Sequence, residues 1–244
     1  MKFFLTATER PLEVTAIHSA QDYRLAIDQL ETFPISNSGA IIDCFFPMKT
    51  GSNDSSLGEE AVRRLESTDP HEKEVRAAID SVREYADVDE DLNGMLRGHF
   101  QSGMNTARFK DGSFFKAIAQ VGSLKTNDSK TTMNLIIKNT LRGHRGQGKD
   151  YYGALRAAIK ESESNQPLGI LVAAEAERRG IPFVLATSTH HHDILTQPIQ
   201  NYASQKGWAL VDCRPNSTEE KSQQTFWHRA YGVLESRAKT KVRL

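Results

Sequence analysis

Three short segments of this chain are apolar on nearly every successive residue, and this limits its fold more than any other feature. They are AIIDCFF at 40–46, IPFVLATS at 181–188 and WALVDC at 208–213. A strand with one wet face alternates apolar and polar residues. A continuous apolar run of this length instead suits a strand covered on both faces, as in a parallel sheet with helices on either side. Segments of helical period lie between and around them: AQDYRLAIDQLE at 20–31, LGILVAAEAERRG at 168–180, ILTQPIQNYASQKG at 194–207 and STEEKSQQTFWHRAYGVLESR at 217–237. Ser19 is expected to cap the first of these helices. Gly180 is expected to end the second, and Pro198 falls in the first turn of the third. Ser217 with Glu220 forms a capping-box pattern for the fourth. Residues 2–7 and 12–18 read as two further short strands. The expected fold is α/β, with a parallel sheet of about five strands.

Residues 52–166 break this alternation. GSNDSS is a loop, and LGEEAVRRLES and DPHEKEVRAAIDSVREYA read as polar amphipathic helices. MNLIIK at 133–138 could form a strand and YYGALRAAIKES at 151–162 a helix. The expected organisation is therefore a discontinuous α/β domain, residues 1–51 with 167–244, interrupted by a mostly helical insert, 52–166. Within the insert, residues 54–91 hold 13 acids and 5 bases, whereas 92–160 hold 3 acids and 12 bases. The simpler reading is that the two halves face each other or water. The sharper one is that the basic half meets an anionic partner.

Lys plus Arg and Asp plus Glu both total 31, so the formal net charge is zero and no global pull on nucleic acid or acidic lipid is expected. The two cysteines, Cys44 and Cys213, have no metal-type spacing, and this usage suits a reducing compartment. No apolar stretch approaches the roughly 20 residues that span a bilayer. A cytoplasmic protein with no membrane partner is expected.

With the insert set aside, the order of segments resembles the receiver domain of bacterial response regulators. VTAIHSAQDYRLAIDQLE is similar to that family's second strand and helix, and AIIDCFFP to its central strand with phosphoacceptor aspartate and loop proline. IPFVLATS is similar to the fourth strand with its terminal hydroxyl, and GWALVDCRP to the fifth strand with its basic residue and proline. The resemblance implies a phosphoacceptor position at Asp43, a switch hydroxyl at Thr187, and the family's lysine position at Arg214, followed by Pro215. It covers about half of the chain. The family's Mg²⁺-holding acids are replaced by Thr6, Ala7 and Thr8, with only Glu9 nearby, and its first helix is missing. Phosphoryl transfer without a metal leaves charge poorly neutralised, and a planar guanidinium is no simple substitute for an ammonium. The likeness is to a degenerate receiver.

Two other motifs carry chemistry. TSTHHHD at 187–193 follows the second apolar strand, and His190 and His192 could converge on a divalent metal with Asp43 or Asp212. A solvated polar loop is the plainer reading. GHRGQGKD at 143–150 fits the spacing of a phosphate loop through Gly143, Gly148 and Lys149, but has Asp150 where Ser or Thr would hold Mg²⁺. Arg142, Arg145 and Lys149 are its anion-binding candidates. The expected function is a non-catalytic regulatory or binding module whose insert selects another protein as partner. Two alternatives stay open. One is a metal- or phosphate-dependent hydrolase or transferase at the sheet rim, and the other is nucleotide or nucleic-acid binding through 138–149. No catalytic residue or cofactor is fixed by the sequence beyond these candidates.

Overall fold

The computed structural model describes residues 18–32, 34, 38–101, 129–143, 150–188, 193–213 and 220–241. Contacts divide the chain into two compact units, Met1–Arg64 with Leu155–Leu244, and Leu65–Ala154. Residues 52–64 and 155–166 therefore group with the sheet-bearing unit.

The three apolar runs form the sheet: β1 (Ala40–Asp43), β2 (Phe183–Ala186) and β3 (Leu210–Val211), all parallel, in the order β1-β2-β3. The two strands expected at 2–7 and 12–18 lie outside the described residues, apart from His18. Among the described residues the fold is thus mixed α/β with a three-stranded sheet. β2 is central and buried at all four positions, as its unbroken apolar run implies. Its residues alternate between faces. Val184 and Ala186 join Val211, Cys213, Phe226, Ala230 and Leu234 in one core cluster, while Phe183 packs edge-on against Trp208, which meets Tyr202 in the same way.

Helices α1 (Tyr23–Thr32), α7 (Gly169–Arg179), α8 (Gln197–Gln205) and α9 (Gln224–Lys241) belong to this unit, as does α2 (Ser56–Thr68) up to Arg64. Helix α7 ends where the sequence suggests, at Gly180, which takes the left-handed conformation (φ 76°) and donates its N–H to Ala176 and Glu177 carbonyls. One capping expectation is corrected, and another falls partly outside the described residues. The α1 cap is Asp22, whose carboxylate accepts the Leu25 N–H, because the helix begins three residues later than Ser19 would require. Glu220 lies in a 3-10 turn, Glu220–Ser222, ahead of α9, and its carboxylate is buried against Arg229. Its capping-box partner Ser217 lies outside the described residues.

The loop after β1 is tied at several points. Asp22 accepts the Thr50 N–H, and Glu163 accepts those of Gly51 and Asn53. Gln166, fully buried, accepts the Phe46 N–H through its carbonyl, accepts the Gly58 N–H through its side chain, and donates to the Asp54 carbonyl.

In the second unit, α3 (Pro70–Arg83), α4 (Glu90–Gln101) and α5 (Ser129–Gly143) enclose a core of Val75, Ile79, Val82, Leu92, Leu96, Phe100, Met133, Ile137 and Leu141. MNLIIK is helical, not a strand. Met133, Ile137 and Leu141 recur every four residues on the buried side, and that longer period overrides the local β-branched composition. The acidic and basic halves do meet here. Asp89 accepts from Lys138 (2.8 Å) and Asn134 (3.2 Å), and Lys138 also reaches Asp91 (2.9 Å). Arg97, mostly buried, joins Glu66, Glu72 and Asp150.

The Lys138 ammonium, with the Leu92 N–H, holds the Asp89 carboxyl down at about 2 from an ordinary 3.8. A carboxyl depressed by folding adds stability above its unfolded pKa and loses it as pH falls through the folded one. Asp89→Asn is therefore expected to be less stable at neutral pH, and to lose less of its remaining stability than wild type on acidification from 3.8 towards about 2. Urea midpoints across that range measure both. A second prediction concerns Gly169, where a Cβ would sit 2.8 Å from the Cys44 Cα and closer still to the Asp43 carbonyl oxygen. Overpacking costs about 1–3 kcal/mol, more than the ~1 kcal/mol alanine gains in a helix. Gly169→Ala should lower urea stability, whereas Gly232→Ala, in open space on α9, should not.

Candidate rim site of the parallel sheet

Register places the sequence candidates along one edge. Asp43 pairs with Ala186, which precedes Thr187, and Ala186 pairs with Val211, which precedes Asp212. The Cys44 N–H donates to the Ala186 carbonyl (2.9 Å) and the Thr187 N–H to that of Val211 (3.0 Å), so the ladder runs through the last residue of each strand. Parallel strands end at a common rim, which is where open α/β sheets build sites. Asp43, Thr187 and Asp212 are brought there. Arg214, His190 and His192 lie outside the described residues.

The three positions differ in availability. Asp43 is 40% exposed, whereas Thr187 is fully buried. The Asp212 carbonyl accepts from Arg229. The Asp43 carboxylate accepts the Phe45 N–H through Oδ1 and the Lys221 ammonium through Oδ2. Lys221 is the residue that sequence reading missed. It sits among acids and polar residues in STEEKSQQ, within a segment read as continuous helix, and nothing in its spacing marks it. Its side chain is 17% exposed. It reaches Asp43 because the 3-10 turn places it ahead of α9, beside the rim.

That turn is anchored on both sides. The Glu220 carboxylate accepts from Arg229 (3.0 Å), Arg229 also donates to the Asp212 carbonyl, and its guanidinium lies over the Phe226 ring at 5.5 Å. The Trp227 indole N–H donates to the Lys221 carbonyl at 2.7 Å. On the opposite side the first residue of α7 closes in. The Gly169 N–H donates to the Cys44 carbonyl (3.2 Å), an approach that the missing side chain permits.

Among the described residues, no group of three or more His, Cys, Asp and Glu is arranged to hold a metal. The chemistry that the described residues offer at the rim is that of a carboxylate matched by an ammonium. In the second unit, Arg142 is exposed on the last turn of α5, 3.9 Å from Asp91, while Arg145 and Lys149 lie outside the described residues. Asp150 caps α6 (Tyr151–Glu161) by accepting the Gly153 N–H at 3.1 Å, and pairs with Arg97. An acid capping the helix occupies the place where a phosphate loop would direct its N–H groups, and the segment before the glycines is helix α5 rather than a strand. No helix among the described residues is long and apolar enough to cross a membrane. No family model, curated protein or solved structure matches this chain.

Both thiols are buried at the rim. Burial pushes the Cys44 thiol far up, reinforced by the adjacent Asp43 carboxylate. Burial also raises Cys213, against the Lys221 backbone N–H that favours its thiolate. Reaction needs an accessible thiolate, so neither cysteine should react with Ellman's reagent in the native protein, and both should react in denaturant. Rapid native reaction of either would contradict this burial.

Proposed function

We propose that this chain is a non-catalytic regulatory or binding module, built on a degenerate receiver-like sheet, with partner selection carried by the segment between its two halves. The observation that carries this reading is the Asp43–Lys221 ion pair. A carboxylate at the end of a parallel strand serves as a phosphoryl acceptor when a metal neutralises the incoming charge. Here a tethered ammonium occupies one oxygen of that carboxylate, and the family's acid pair is replaced by Thr6, Ala7 and Thr8. The hydroxyl-bearing residue at the end of β2 is also buried, away from an incoming group. Such a rim suits recognition of charge more than turnover.

The partner is another protein on this reading. Among the described residues of the second unit, Arg97 and Lys138 are spent on acids of the same unit, which leaves those two cations less free to meet nucleic acid. Incubation of the full chain with Mg²⁺ and acetyl phosphate, followed by intact-mass measurement, tests the proposal. The expected result is an unmodified chain. Stoichiometric, Mg²⁺-dependent labelling of Asp43 would overturn it.

A further inference from the structure

We propose that the 3-10 turn Glu220–Ser222 is a mechanical link through which the occupancy of Asp43 is passed to helix α9. The inference rests on the reading of the rim as a regulatory site, and it concerns how that site would be read out. Two of the contacts of Lys221 run in different directions. Its ammonium holds Asp43 at the end of β1, 178 positions away in sequence, and its carbonyl holds the Trp227 indole N–H in the first turn of α9. A single residue therefore joins the accessible acid to the helix covering one face of the sheet. Trp227 packs against the core cluster formed by β2, β3 and α9, so a change at its indole is felt by packed side chains rather than by solvent alone.

The turn is set up to move as a unit. Glu220, almost fully buried, is bound to Arg229 of α9, and Arg229 also grips the Asp212 carbonyl where the chain leaves β3. A movement of the Lys221 main chain stretches these bonds or carries them along. The exposures of the pair give the direction of control. Asp43 is 40% exposed and Lys221 17%, so a competing cation reaches the carboxylate from solvent and displaces the ammonium. That cation binds the released form more tightly, because Lys221 occupies one carboxylate oxygen in the other. This differential affinity is what a population shift requires.

The experiment uses the full chain labelled with ¹⁵N at tryptophan. Its two tryptophans give two indole N–H signals. Trp227 reports the turn, and Trp208, whose indole N–H donates to Glu177 at 2.9 Å, is an internal control. Asp43→Asn and Lys221→Met are each compared with wild type. Both variants should displace the Trp227 signal and raise its hydrogen exchange by about fivefold, as expected for one weakened hydrogen bond, while the Trp208 signal stays in place. The proposal is overturned if Trp227 is unmoved in either folded variant, or if Trp208 moves with it. Lys221→Met, on a polar turn, keeps the test available should Asp43→Asn fail to fold. The result is separate from phosphodonor labelling. A labelled Asp43 would remove the non-catalytic reading and leave the Trp227 comparison standing, and an unmoved Trp227 would do the reverse.

Discussion

The end of β1 is the point from which the rest of the sheet-bearing unit is placed. There the Gly169 N–H meets the Cys44 carbonyl, with no room for a side chain between α7 and the strand. Because α7 begins against β1 and then leads into β2, that contact sets the crossover between two parallel strands. It also lays an apolar helix face over the sheet, with Ile170, Val172, Ala173 and Ala176 buried. The return path of the chain is secured next to it by Gln166, whose carbonyl and side-chain amide are engaged by the loop that follows β1 and by the first turn of α2. A buried amide left unsatisfied there would cost roughly 1–3 kcal/mol, so the same residue that closes the loop also makes its burial tolerable.

From this arrangement the rim follows. Strands of one direction and matched register bring Asp43, Thr187 and Asp212 to one edge, and the chain after β3 supplies the cation. An exposed ion pair is by itself worth about 0–1 kcal/mol. The Asp43–Lys221 pair therefore matters less for stability than for what it does to the carboxylate, which meets solvent with its charge already matched. The anchoring of the turn comes from elsewhere, through Glu220, Arg229 and Trp227.

The second unit shows a different use of charge. Among the described residues, acidic and basic stretches meet inside the unit, where Lys138 bridges Asp89 and Asp91, and Arg97 is surrounded by Glu66, Glu72 and Asp150. Glu72 is 2% exposed, and such an acid is tolerable only because two guanidiniums, of Arg76 and Arg97, face it. Asp150, which looked like a flawed member of a phosphate loop, has a complete structural role as a helix cap and as a partner of Arg97.

Much of this was legible in the chain before any coordinates. The three parallel strands, the stop at Gly180, the helix opening near Pro198 and the position of Asp43 at a strand end all follow from local period and backbone chemistry, which depend on neighbours within a few residues. Where local signals misled, a longer-range interaction had intervened. MNLIIK is helical because Met133, Ile137 and Leu141 share a core with α3 and α4, and Glu220 stands in a 3-10 turn ahead of α9, paired with Arg229 nine residues on. The partner of Asp43 was out of reach altogether. Local sequence determined that an acid would stand at the wet end of a buried strand. Only the tertiary fold decided that Lys221 would meet it, because that pairing depends on where a turn 178 residues away comes to rest, and no periodicity encodes a contact at that separation.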